Sequence, residues 1–162
     1  MTEPPHSAQL VAPRTRLAFV DCQVAGLAEP VTALQAWRRV RAQKVPGVGL
    51  AIRVRDVMAG WFGVQPIGGF RGEIGEVRVG DRIDFFVVEA ISDGVLTLTN
   101  RDRHLDVMTC VTVEGRRLAI TTSVVGHNWF GRLYMLPVAP AHRLIVWWEL
   151  RGLRTNWNGS NP

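Results

Sequence analysis

HNWFGRLYMLPVAPAH, residues 127–142, decides how the rest of the chain reads. A polar His-Asn pair opens an apolar segment that carries Pro137 and Pro140 and runs on as RLIVWWEL to Leu150. Asn128 suits an N-cap, because its side-chain oxygen can accept a backbone N–H that a first helical turn leaves unpaired. Phe130, Leu133, Tyr134, Leu144, Ile145 and Trp148 fall on one broad face at helical spacing. Each proline removes a backbone donor and crowds the preceding turn. The spacing therefore predicts a long helix near Asn128–Leu150, bent or broken in its middle.

Before this segment the apolar period is 2. Ile83–Ile91, Val95–Thr99, Leu105–Val113 and Leu118–Val125 read as strands, after a weaker one at Glu73–Val79. Ser92-Asp93-Gly94, the polar Asn100–Arg103 and Glu114-Gly115-Arg116 are turn signals, and connections this short imply an antiparallel meander. Further upstream, Leu17–Val24 reads as a first strand. Pro30–Gln43 reads as a helix opened by Glu29-Pro30 and closed by Pro46-Gly47. Leu50, Val54, Val57, Met58 and Trp61 predict a second helix over Gly49–Phe62, followed by a glycine- and proline-rich loop. The order strand, two helices, five strands, helix excludes a parallel doubly wound fold. It suits an α+β helix-grip arrangement, a curved antiparallel sheet of about six strands around the last helix. One domain over residues 16–153 is expected, with flexible tails at 1–15 and 154–162.

Composition narrows the function without naming it. A 47% hydrophobic and 20% charged chain of 162 residues is ordinary for one globular domain. No apolar run approaches the ~18–20 residues of a membrane span, and MTEPPHSAQL lacks a signal-peptide pattern, so a cytoplasmic protein is expected. Cys22 and Cys110 lie far apart in apolar runs and read as reduced, buried thiols. The net charge is +5, of which residues 1–16 carry +1 and residues 151–162 carry +2. The densest basic cluster, Arg38, Arg39, Arg41 and Lys44, sits on the polar side of one predicted helix without interleaved aromatics. That argues against nucleic acid as a partner.

NRDRHLD at Asn100–Asp106, together with HNWFGRLYMLPVAPAHRLIV at His127–Val146, resembles a bacterial domain family of unknown function. LAIRVRDVMAGWFGV at Leu50–Val64 is similar to that family's arginine-aspartate helix ending in an aromatic-glycine pair. The resemblance spans about Leu17 to Leu153. It implies membership of the START-like (SRPBCC) helix-grip proteins, many of which hold hydrophobic ligands between sheet and helix. It also implies relatives fused behind an NAD(P)-binding domain of the short-chain dehydrogenase type. No G-x-G-x-x-G follows a strand in this chain, so no NAD site and no cofactor is expected.

The chemistry-bearing candidates cluster around the same motifs. Asp102, His104 and Asp106 share one side of an extended stretch, where a carboxylate can orient an imidazole. Strict alternation with Leu105 and Val107 sends His104 and Asp106 away from the core. His127 and Asn128 sit where strand becomes helix, with Tyr134 about two turns on, His142 in the bent segment, and Arg132 and Arg143 able to clamp a ligand carboxylate or to pair with Glu149 or a strand carboxylate. The histidines lack metal-ligand spacing, and no metal is expected. Asp102, His104, His127, Asn128, Arg132, Tyr134 and His142 are thus the expected lining of a site for a small apolar or amphipathic molecule. The alternative is a cyclase, lyase or isomerase with His104 or His127 as base, Asp106 as orienter and Tyr134 as oxyanion donor. A third reading is an interaction module for an oxidoreductase or for a second copy, anchored by Trp37, Trp147 and Trp157.

Overall fold

Residues 105–126 form the longest hairpin among the described residues, and their alternation sets the two faces of the sheet. The computed structural model describes residues 4–43 and 77–158; of the helical residues, the side chains of Phe130, Arg132, Tyr134 and 153–158 lie outside that description. The strands are β1 (Phe19–Gly26), β2 (Arg82–Ile83), β3 (Phe86–Ile91), β4 (Val95–Arg101), β5 (Leu105–Glu114) and β6 (Arg117–Gly126), with helix α1 at Ala33–Arg41 and helix α2 at Trp129–Asn158. They make one curved six-stranded antiparallel sheet in the order β1-β6-β5-β4-β3-β2. The first strand therefore pairs with the last.

Val107, Thr109, Val111 and Val113 of β5 stand opposite Val124, Thr122, Ile120 and Leu118 of β6 on the face that the helices cover. Trp37 and Val40 of α1 and Val146 and Leu150 of α2 close over Leu96, Leu98, Val111 and Ile120 to form the main core. Thr32 caps α1 by accepting from the Gln35 amide while the Gln35 side chain accepts from the Thr32 amide. The other face of the sheet carries small polar side chains. Residues 4–16 run across it: the Gln9 amide donates to Cys110 Sγ (3.4 Å), Thr97 Oγ1 donates to Gln9 Oε1 (3.2 Å), and the Val11 amide donates to Ser123 Oγ (3.0 Å). Thr97, Cys110 and Ser123 are fully buried. A face of hydroxyls and a thiol lets a backbone segment approach closely and still satisfies its donors. Cys22 and Cys110 are buried free thiols.

Several sequence-based expectations shift. The stretch Ile83–Ile91 is two strands, not one. Asp84 adopts φ 57°, in the left-handed region, and turns β2 back on β3 so that Ile83 pairs with Phe86. Residues 77–79 of the expected strand Glu73–Val79 are not extended into the sheet, and 73–76 lie outside the described residues. The expected helix Gly49–Phe62 also lies outside them, so the described residues hold two α-helices rather than three. Of the bend or break expected near Pro137 and Pro140, the break does not occur, since α2 is continuous through both. Both prolines are exposed, which leaves the carbonyls they strip of a donor open to water.

Gly131 fixes where α2 meets the sheet. A Cβ built there would run into the backbone carbonyl of His104 at a separation real Cβ atoms do not show, and backbone cannot swing aside. Gly131→Ala is expected to lower stability by about 1–2 kcal/mol, the cost of overpacking exceeding the gain in helix propensity. Gly26→Ala, where nothing lies within 4 Å, should change it by less than about 0.5 kcal/mol. Calorimetric melting of both variants checks this. Equal effects would contradict the close contact.

Candidate functional site

The β4–β5 turn is built around Asp102. Its Oδ1 accepts from the amides of His104 (2.6 Å) and Leu105 (2.9 Å), an Asx turn that a short carboxylate forms readily. The turn presents the His104 carbonyl to the start of α2, where it accepts from the His127 amide at 2.8 Å. Asn128 caps the helix, its Oδ1 accepting from the Gly131 amide at 2.8 Å, and its Nδ2 lies 2.8 Å from His104 Nδ1. Arg103 Nε lies 2.9 Å from His104 Nε2. A neutral imidazole accepts at one nitrogen only. The cap fixes the Asn128 amide, so its Nδ2 donates to Nδ1 and competes with the Arg103 contact at Nε2 for the tautomer. Asp102, His104 and Asn128 thus form one hydrogen-bonded brace under the helix N-terminus.

A groove of about 760 Å³ opens beside that brace. It is lined by Thr15, Arg16, Leu17 and Ala18 as the chain enters β1, by Val125, Gly126 and His127 as it leaves β6, and by Met135, Leu136 and Ala139 of α2. His127 Nε2 lies 3.1 Å from Asp106 Oδ1, so a carboxylate on the sheet backs an imidazole on the groove wall. Asp106 pairs with Val125 across the ladder and points to the face of Met108 and Cys110, away from the helices. The lining therefore combines Leu17, Met135, Leu136 and Ala139 with Thr15, Arg16 and His127.

Two polar clusters tie α2 to the rest of the domain. Near the middle of the helix, Arg143 Nε lies 3.4 Å from the buried Asp21 Oδ1, Gln23 Nε2 donates to Asp21 Oδ2 (2.9 Å) and to the Arg143 carbonyl (3.0 Å), and the guanidinium stacks over Phe19. His142 packs edge-on against Phe19. Burial holds its imidazole below the ordinary range, opposed by the Asp21 charge. Further along, Arg41 NH1 meets Glu149 Oε1 at 2.9 Å, with Asp84 beside them. Burial pushes the Glu149 carboxyl up to about 7 against the pull of Arg41, and raises Asp84 in the same direction.

The candidates thus separate into three places. Asp102, His104 and Asn128 stand together in the brace, His127 with Asp106 at the groove, and His142 with Asp21 and Arg143 beneath the helix. The side chains of Arg132 and Tyr134 lie outside the described ones. Among the described residues no group of three His, Cys, Asp or Glu side chains could hold a metal ion, and no helix is long and apolar enough to cross a membrane. Sequence reasoning missed Arg16, Met135, Leu136 and Ala139 as groove residues. It also missed Asp21 and Gln23, although both share the parity of Phe19 within an otherwise apolar strand.

Comparison with known proteins gives one family. A family model described as a protein of unknown function (DUF2867) matches residues 14–148. No curated protein and no solved structure matches the chain.

The buried Glu149 generates a pH prediction. Its folded-state carboxyl holds a proton to higher pH than the ordinary value of 4.5. The stability it contributes is fully present below about pH 4.5 and is lost as pH rises through about 7. Glu149→Gln cannot titrate. Relative to that variant, the natural protein should lose on the order of 2–3 kcal/mol between pH 4.5 and 8, read from denaturant melts at a series of pH values. Parallel stability curves for the two proteins would contradict it.

Proposed function

The chain belongs to the DUF2867 family of proteins of unknown function, and we propose that it binds a small amphipathic molecule in the groove between the β1 entry, the β6 exit and α2. One observation carries this reading: apolar Leu17, Met135, Leu136 and Ala139 lie beside Arg16 and His127 in a single groove of about 760 Å³. That volume is in the range of small-ligand sites, and the lining offers apolar side chains and polar groups in comparable measure, as an amphipathic ligand requires. The apolar body of the ligand lies on α2, and its polar end meets the guanidinium of Arg16. The strand order, with β1 against β6 beside a long C-terminal helix, supports the helix-grip arrangement of START-like proteins as the frame of this site.

A second reading draws support from the His127–Asp106 contact of 3.1 Å. There His127 serves as a general base, with Asp106 fixing its tautomer, in a lyase or isomerase reaction on the bound molecule. His104 has no part in it, being engaged with Asn128.

Calorimetric titration with dodecanoate tests the binding reading. The natural protein should bind it, Ala139→Trp should abolish binding by filling the groove, and Arg16→Ala should weaken it at least about tenfold through loss of the charged contact. Absence of binding by the natural protein, or binding that neither substitution touches, would contradict it.

A further inference from the structure

Helix α2 is apolar on both sides. Met135, Val146 and Leu150 are buried against the rest of the domain, while Trp129 (73% exposed), Leu133 (53%), Leu136 (69%), Leu144 (61%), Trp147 (45%) and Trp148 (44%) face outward. A helix that is apolar all round is normally covered all round. Positions 129, 133, 136, 140, 144 and 147 recur every three or four residues, so with Pro140 they form one continuous stripe. We propose that this stripe is the interface of a two-fold dimer, in which the α2 helices of two copies pair antiparallel with the axis at the level of Val138.

Three observations favour a second copy over other occupants. The first is size. The six exposed side chains present roughly 700 Å² of apolar surface, taking a full tryptophan as about 150–250 Å². A monomer's largest apolar patch is about 300–600 Å², and a stable interface buries about 800 Å² per partner. The second is symmetry. Reversed about position 138, Trp129 meets Trp147, Leu136 meets Pro140, and Leu133 falls level with Arg143, one residue short of Leu144. A two-fold interface demands such self-complementarity, because each residue contacts its counterpart's partner twice. The third is charge. No carboxylate lies between residues 129 and 148, Glu149 is buried, Arg143 is matched by Asp21 of its own chain, and the side chain of Arg132 lies outside the described ones.

The prolines argue against a lipid surface as the occupant. Pro137 and Pro140 withhold the amide donors that the helix would offer to the carbonyls of Leu133 and Leu136. In hydrocarbon each such carbonyl costs several kcal/mol, whereas a protein interface admits bridging water. Trp147 is also held ready, with Arg151 stacked at 5.1 Å and Trp148 edge-on at 6.1 Å. Leu136 borders both stripe and groove, so pairing brings the partner's helix to the open margin of the groove.

Sedimentation velocity of the full chain from about 1 to about 100 µM, within the range that interfaces of this size cover, should show a dimer. Leu144→Glu, an exposed position outside the groove, should leave the circular dichroism unchanged and weaken dimerisation at least about 100-fold by burying an unpaired charge. Trp129→Cys and Trp147→Cys proteins should form a disulfide when mixed under oxidation. Trp129→Cys alone should not, because its counterpart in an antiparallel pair lies about 27 Å away along the helix. Cys22 and Cys110 are buried and do not compete. A monomer at every concentration, a dimer indifferent to Leu144→Glu, or self-linking of Trp129→Cys would each overturn the proposal. So would a monomer that binds phosphatidylglycerol vesicles through this face.

Discussion

The carbonyl of His104 is the point on which the geometry of this protein turns. It accepts from the His127 amide as β6 ends, and it lies so close to Gly131 that a Cβ there would force one of the two backbones to shift. The turn that carries it is held by Asp102, and the helix that meets it is capped by Asn128, whose amide also contacts His104. Few of these bonds is strong alone, each contributing on the order of 1 kcal/mol. Together they set the angle at which α2 leaves the sheet. The groove beside Met135 and the outward stripe both inherit their position from that angle.

Two ionic contacts extend the registration along the helix. Arg143 reaches Asp21 on β1, and Glu149 reaches Arg41 on α1. Burying charge is costly, and a buried pair is weak evidence for stability. Burial pushes the Glu149 carboxyl up even beside the Arg41 guanidinium. What such pairs supply is position: an apolar helix on an apolar sheet could slide or rotate, and each pair fixes one register. The Asp21 contact interrupts the apolar surface between the main core and the smaller cluster of Phe19, Val124 and Met135.

Much of this fold was legible in the sequence because its signals are local. Period-2 alternation from Val95 to Val125, turn residues between the runs, and Asn128 before an apolar helical segment led to the meander and its closing helix. The hairpin at Asp84 was not legible, because Asp84-Phe85-Phe86 looks like uninterrupted strand and only the left-handed backbone at Asp84 breaks it. The prolines did not bring the break that is one half of the expected bend or break, since exposed carbonyls stripped of their donors can turn to water. Trp37, read as an exposed anchor, is buried in the core, and exposure of Trp147 follows from which side of α2 the sheet covers. The groove is least legible of all. Arg16, His127 and Ala139 are brought together by three separate segments, and no spacing in the chain records that meeting.

Amide hydrogen exchange measured residue by residue tests the junction most directly. The His127 and Gly131 amides, bonded to the His104 carbonyl and the Asn128 side chain, should open only with the sheet and show the protection of the β5 and β6 core amides. Exchange of those two amides as fast as that of exposed turn amides, with β5 and β6 still protected, would contradict the account.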